Sequence, residues 1–172
     1  MISGRSIAGK AAVIPIYGNE EVIKRIRVEF DYIFKGDYPG IPKVAIHQIE
    51  NTPFSIGALS VIPIQVMHHT MPVFGFRIGD FTYITDANSI PDDEMKKIHG
   101  SRFLVINALQ REDHPSHFTL DEALEVVGQI KPEKAYLIHM GHNMGLHGQL
   151  ADELPPNVFL AYDGLSVELH HA

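Results

Sequence analysis

Short apolar runs alternate with amphipathic segments along most of this sequence, and that alternation is the feature that most restricts its fold. Apolar runs of four to eight residues are typical of strands, whereas apolar residues at helical spacing predict helices. Strands are predicted at residues 10–16, 43–50, 58–67, 73–78, 81–85, 103–107, 135–140, 158–161 and 167–169, and helices at 19–30, 91–98, 119–130 and 147–154. Strands that alternate with helices indicate an α/β layered fold, here a single domain over residues 1–172.

Local signals place several of these boundaries. Asn19 is a predicted N-cap, and Thr119 with Glu122 forms the pattern of a capping box. Gly79 and Asp80 suit the tight turn of a hairpin. These signals fix where elements begin and end, so side chains that follow a strand are expected at an edge of the sheet.

Composition argues against several classes of function. The formal net charge is -7 and no stripe of Lys or Arg runs along the chain, so a nucleic-acid partner is not predicted. No apolar segment reaches the roughly 20 residues that a membrane helix needs, so no membrane partner is predicted. The absence of cysteine excludes disulfides and thiolate ligands and fits a cytoplasmic protein. A site in this chain must therefore use other side chains, and its 11 histidines stand out.

Three of the imidazole and carboxylate side chains lie at the ends of predicted apolar strands: His68, Asp86 and His139. Neighbouring strand ends converge at a sheet edge, and divalent metals accept imidazole nitrogen and carboxylate oxygen as ligands. Asp86 has two oxygens and could bridge two metals. The same residues also suit other roles, since Asp86 could cap a turn and either histidine could be a hydrogen-bonded residue at a sheet edge.

Five short segments resemble the metallo-β-lactamase-fold hydrolases, specifically the PhnP-like phosphodiesterases. Residues 68–78 (HHTMPVFGFRI) and 83–87 (YITDA) resemble the third and fourth motifs of that family. Residues 138–142 (IHMGH) resemble its fifth motif, 161–164 (AYDG) its closing strand turn, and 114–119 (HPSHFT) a loop before a helix. The segments occur in the expected order over most of the chain. The resemblance implies a hydrolase that cleaves small phosphodiesters with water activated by two divalent metal ions, zinc or manganese.

The resemblance also implies roles for individual residues. His68 would bind the first metal, Asp86 would bridge both, and His139 would bind the second. His69 competes with His68, because adjacent residues on a strand point to opposite faces. His117 would act as an acid–base or phosphate-contacting group; the alternative is that it is a solvated loop histidine. His142 would be a further active-site neighbour; the alternative is that it is a hydrogen-bond partner beside a helix.

Further residues are given no role in the chemistry. Asp163 is expected in a turn before Gly164, and four histidines are expected at the surface or hydrogen-bonded: His47, His99, His114 and His147.

One part of the family's pattern is missing from this sequence. The metal motif H-x-H-x-D-H does not occur, and the first residues resemble the segment that follows it in full-length members. The expected fold is therefore a partial αββα sandwich, about the C-terminal two-thirds. With so few ligands, the chain alone is expected to bind one metal weakly or none. Exposed sheet surface predicts a homo-oligomer or a completing partner, and a non-catalytic or partner-completed domain is the alternative to an enzyme.

Overall fold

The computed structural model describes residues 13–35 and 40–169 of the chain. Its contacts divide the chain into two compact units, Met1–Thr52 and Pro53–Ala172. Each unit has its own sheet: two strands in the first and seven in the second. The sequence-based expectation of one domain over residues 1–172 stays a prediction.

The first unit pairs two parallel strands and carries two helices. Strand β1 (Ile14–Gly18) lies in parallel register with β2 (Val44–Gln48). Helix α1 (Glu20–Glu29) begins at Asn19, whose side-chain oxygen accepts a hydrogen bond from the Val22 amide at 2.9 Å, and α2 (Asp31–Lys35) follows directly. The predicted cap is confirmed, whereas α2 was not predicted.

The second unit is built on a mixed seven-stranded sheet in the order β3 to β9. Its first four strands pair antiparallel and its last four pair parallel, with β6 common to both sets. The strands are β3 (Phe54–Ile56), β4 (Leu59–His68), β5 (Met71–Ile78), β6 (Phe81–Tyr83), β7 (Phe103–Asn107), β8 (Lys134–Ile138) and β9 (Val158–Leu160). The helices are α3 (Asp92–Ile98), α4 (Leu120–Ile130) and α5 (His147–Glu153), with a 3₁₀ turn at His142–Met144. The mixed α/β architecture predicted from the sequence is confirmed.

One face of this sheet forms the hydrophobic core. Alternate residues of β4, β7 and β8 point to that face and are fully buried, including Ile64, Leu104 and Leu137. They share one cluster with the apolar side of α4, of which five residues are buried. The capping box is confirmed: Thr119 accepts from the Glu122 amide at 3.2 Å, and the Glu122 carboxylate accepts from the Thr119 amide at 2.8 Å. The start of α4, and the loop before it, is therefore fixed to the core.

The other face carries a row of larger side chains, of which Tyr83 and Phe159 are partly exposed and Val105 and Tyr136 are buried. Tyr83, Val105, Tyr136 and Phe159 are register partners on four neighbouring strands. Together with residues of the 161–169 segment they line grooves of about 330 and 460 Å³.

The prediction of a strand at residues 167–169 is wrong, since no ladder joins this segment to a strand among the described residues. Its alternating pattern has another cause, because Leu165, Val167 and Leu169 all line the smaller groove.

Most other boundaries agree with the prediction to within two residues. The hairpin turns at Gly79 with φ of 55°, and β4 extends to include His68. Strands β6 and β8 end two residues earlier than predicted, so His139 lies just beyond β8. β3 was not predicted, and part of the prediction at residues 10–16 lies outside the described residues. No helix in the described part of the chain has the length and apolar character needed to cross a membrane.

Candidate metal centre

Four imidazole and carboxylate side chains of the second unit meet at one edge of the seven-stranded sheet. His68 ends β4, Asp86 follows β6, and His139 follows β8. The fourth, His117, lies in the loop before α4. The parallel strands β6, β7 and β8 all end at this edge, and that shared direction is why residues distant in sequence come together.

Asp86 and His117 are at the middle of the cluster. The Asp86 Oδ1 atom lies 3.2 Å from His117 Nε2 and 3.4 Å from His139 Nε2. The His117 ring stacks on His139 with centroids 4.8 Å apart, and meets His68 edge-on at the same distance. The His117 side chain is only 12% exposed, whereas His139 and Asp86 are 43% and 48% exposed. The cluster therefore has one open side and one side closed by protein.

The backbone at the cluster adopts a conformation that side chains disfavour. Asp86 and His139 have φ of 53° and 59°, and His69 has 56°. Left-handed conformations cost a non-glycine residue free energy and concentrate at functional sites. Since three of the four such non-glycine residues described lie in or next to this cluster, its geometry is held by surrounding contacts.

Two asparagines supply contacts of that kind. Asn107, fully buried at the end of β7, donates to the Ala87 carbonyl at 2.9 Å and accepts from the Ala87 amide at 3.0 Å. Asn88 accepts from the His69 amide at 2.9 Å and donates to the Pro115 carbonyl at 3.1 Å. The residues that follow Asp86 are thus tied to the strand beneath, to the end of β4 and to the loop that carries His117.

A series of peptide hydrogen bonds joins the same loops. The Phe118 amide donates to the Ala87 carbonyl at 2.7 Å, and the Leu109 amide donates to the Phe118 carbonyl at 2.9 Å. The Gly141 amide donates to the Leu109 carbonyl at 2.7 Å. A Cβ atom at Gly141 would lie 3.1 Å from the Leu109 carbonyl oxygen, so glycine permits the close approach. This backbone series connects the segments that carry Asp86, His117 and His139.

His114 and Ser116 also contact the cluster, and sequence reasoning had given them no part in it. Ser116 Oγ lies 3.0 Å from His117 Nδ1, and His114 Nδ1 lies 3.3 Å from the same nitrogen. His114 had been expected at the surface or hydrogen-bonded, and it is half-buried and hydrogen-bonded. The signal available in the sequence was the repeat of histidine three residues apart in one loop.

The remaining candidate residues lie around the cluster. His69 is exposed, and it is His68 whose ring contacts His117. His142 is exposed at the start of the 3₁₀ turn, and within residues 13–35 and 40–169 no hydrogen bond or ring contact joins it to the cluster. Asp163 is exposed in a turn closed by the Leu165 amide and the Tyr162 carbonyl at 3.0 Å, as expected.

The chemistry of these side chains fits a divalent metal ion. Donor atoms of His68, Asp86 and His117 all lie within 4.8 Å of one another. Burial lowers the pKa of His117, and the neighbouring His139 and His68 lower it further, against the opposing effect of Asp86. A lowered pKa keeps imidazole neutral near pH 7, and the neutral form is the one that binds metal.

Comparisons with known proteins agree with this architecture. Residues 4–140 match the family described as Beta-lactamase superfamily domain. A diphosphatase of the PhnP family superposes with a TM-score of 0.84 at 30% identity, over 92% of this chain and 60% of that one. Zn²⁺-bound PqqB from Methylobacterium extorquens has the same fold, with a TM-score of 0.70 at 14% identity, over 93% of this chain and 66% of that one.

A curated relative is much longer than this chain. A protein of Porphyromonas gingivalis named Octanoyltransferase is 35% identical over 155 residues, which are 88% of this chain and 32% of that protein. This chain thus spans about a third of that relative and 60% of the diphosphatase. The family match and the superposition together show that the chain belongs to the beta-lactamase superfamily, with the metallo-β-lactamase fold and similarity to its PhnP-like branch.

Proposed function

We propose that this chain forms part of a metal-dependent hydrolase that cleaves small phosphodiesters. The observation that carries the proposal is the Asp86 oxygen placed within 3.4 Å of two imidazole nitrogens at the open edge of the sheet. A carboxylate shared by two imidazoles is suited to hold divalent cations. The PhnP-family diphosphatase, itself named for phosphate chemistry, supports a phosphorus-centred substrate.

His68, Asp86 and His139 are the proposed metal ligands. The position of His117 Nε2, 3.2 Å from the same carboxylate oxygen, favours a place for His117 among the donors in addition to the acid–base role inferred from the resemblance. Zinc or manganese, when bound, polarises phosphoryl oxygens and lowers the pKa of water. His142 is exposed at the start of the 3₁₀ turn and is proposed to contact substrate.

The test measures metal binding and hydrolysis in the same variants. Equilibrium dialysis against Zn²⁺ and Mn²⁺ is expected to show weak binding of one metal ion. Asp86→Asn is expected to abolish this binding, because the amide lacks the charge of the shared ligand. Asp163→Asn, which changes an exposed turn carboxylate, is the matched control and is expected to bind as the original chain does. Unchanged metal stoichiometry in Asp86→Asn would refute the assignment.

Hydrolysis is followed with bis(p-nitrophenyl) phosphate and with p-nitrophenyl octanoate. Metal-dependent release of nitrophenol from the phosphodiester, lost in Asp86→Asn, is expected. Cleavage of the octanoate ester without cleavage of the phosphodiester would contradict the proposed phosphodiester hydrolysis and would indicate hydrolysis of acyl esters.

A non-catalytic or partner-completed domain is the second candidate, favoured by the absence of H-x-H-x-D-H from the sequence. On that proposal the chain binds metal but cleaves neither substrate until a segment carrying the motif is added in trans. Self-association is proposed to occur through the apolar sheet face, where Tyr83 and Phe159 are each 41% exposed. Sedimentation at micromolar concentration tests this, and a sharp monomer boundary would contradict it.

A further inference from the structure

The loop of residues 114–117 brings two polar groups, the Ser116 hydroxyl and the His114 imidazole, to the side of His117 that faces away from Asp86. The His117 Nδ1 atom lies 3.0 Å from Ser116 Oγ and 3.3 Å from His114 Nδ1. His114 Nδ1 also lies 3.4 Å from the Ser116 backbone nitrogen and from the Ser116 hydroxyl. The two imidazoles therefore approach each other through their Nδ1 atoms, and this contact is a hydrogen bond only if one of the two nitrogens carries a proton.

The Ser116 backbone amide determines which of them donates. Its hydrogen is permanent and points to His114 Nδ1, so that nitrogen accepts and the His114 proton resides on Nε2. If His117 Nδ1 also lacked a proton, two lone pairs would face each other at 3.3 Å. With a proton on His117 Nδ1, the same contact becomes a hydrogen bond to His114 or to Ser116 Oγ.

We propose that His114 is a positioning residue that holds His117 with its proton on Nδ1, so that the Nε2 lone pair faces Asp86. Which ring nitrogen of a histidine is free to bind is set by the hydrogen bond that the other nitrogen makes. In His117 the nitrogen that makes this bond is Nδ1, and its partner is His114 Nδ1. His114 Nδ1 is in turn held as an acceptor by the Ser116 backbone amide.

The contact with Asp86 opposes this tautomer in the chain without metal. With the proton on Nδ1, the His117 Nε2 lone pair and the Asp86 Oδ1 atom are two acceptors 3.2 Å apart. Two acceptors at that distance repel each other unless a cation is shared between them. The inference rests on the proposed function in this respect, because the positioned lone pair is useful for binding a metal.

The tautomer is measured without metal, at pH 8, by long-range ¹H–¹⁵N correlation on histidine-labelled chain, with His117 assigned from its loss in His117→Gln. The His117 spectrum is expected to show the proton on Nδ1. His114→Ala is expected to shift His117 toward the other tautomer and to weaken Zn²⁺ binding by about 10- to 100-fold, the effect of losing a partner of a ligand.

Two further variants separate positioning from folding. His114→Asn keeps an acceptor near the position of Nδ1 and is expected to restore both the tautomer and most of the affinity. His147→Ala, an exposed histidine away from the cluster, is the control and is expected to change neither.

A proton on His117 Nε2 in the original chain, or an unchanged His117 tautomer in His114→Ala, would overturn the inference. Neither result depends on metal, so failure of the proposed function is recognised separately. That failure appears as absent Zn²⁺ binding in a chain whose His117 carries the expected Nδ1 proton.

Discussion

The helix-covered face of the seven-stranded sheet and its histidine-bearing edge are built in opposite ways. On the covered face, Leu104, Ile106 and Leu137 are fully buried among apolar neighbours. At the edge, polar rings are half-exposed, and Asp86 and His139 adopt left-handed backbone conformations. Burial of apolar side chains on the covered face stabilises the fold. The left-handed backbone conformations at the edge destabilise it, and they hold the metal-binding atoms close together.

The largest effect that separates the two regions is expected from Leu104→Ala. Loss of a fully buried leucine from β7 should lower the free energy of unfolding by about 2–5 kcal/mol because a cavity remains. Urea denaturation measures this, with Leu146→Ala, 69% exposed, as the control expected to change little. Equal decreases in the free energy of unfolding of Leu104→Ala and Leu146→Ala would show that burial does not determine how much each leucine stabilises the fold.

Asn107→Ala is expected to affect both regions at once. Asn107 is buried with the core, yet both of its hydrogen bonds hold Ala87, next to Asp86. The buried Ala87 amide would lose its partner, at a cost of about 1–3 kcal/mol in unfolding free energy. Zn²⁺ affinity should fall with it, measured by titration, while the exposed Asn143→Ala leaves both quantities unchanged. An unaltered Zn²⁺ affinity in Asn107→Ala would show that this buried contact does not position the metal-binding residues at the edge.

Lys131→Gly tests left-handed backbone away from the metal centre. Lys131 has φ of 54° at the C-terminal end of α4, where glycine is the preferred residue. The free energy of unfolding is expected to rise by about 1 kcal/mol, as improved helix caps commonly give. Metal binding should be unaffected, whereas Asp86→Gly should abolish it. A loss of stability in Lys131→Gly, seen in thermal denaturation, would argue against strain at this position.

The smallest expected effect is a pH dependence confined to the edge. The pKa of His117 is lowered in the folded state, so the unfolded chain binds more protons as pH falls below about 6.5. This contribution to stability is present above that pH and is lost as pH falls toward the folded pKa. Urea denaturation in the presence of a chelator measures the free energy of unfolding at pH 7.5 and 5.5. Its decrease between these two pH values should be smaller for His117→Asn than for the original chain. An equal decrease would assign the effect to other groups.

Sequence periodicity was sufficient for the core because the covered strands carry continuous or alternating apolar residues. It was also sufficient to place His68, Asp86 and His139 near strand ends, since a strand end is a local property. It failed at residues 167–169, where apolar alternation reflects packing along a groove without a neighbouring strand. Local patterns report which residues face the protein, but not whether a hydrogen-bonding strand lies alongside.

The central position of His117 could not be derived from periodicity. His117 lies in a loop, and its contacts depend on how that loop is tied to Ala87 and Leu109. The part played by His114 was missed for a related reason, because a hydrogen bond between two ring nitrogens depends on tautomers that spacing does not encode. Family resemblance indicated that the loop mattered, and the geometry adds which atoms meet.

The peptide series from Ala87 through Phe118 and Leu109 to Gly141 has a consequence for how such a chain can diverge. Every link is a main-chain group, so changing a side chain does not by itself remove the donor or acceptor of a link. Gly141 is constrained by close approach, and the buried Ala87 and Phe118 side chains are constrained by packing. Exposed side chains of these loops can therefore be exchanged, and with them the molecules that the loops accommodate, while the main-chain bonds keep the spacing of the metal-binding atoms.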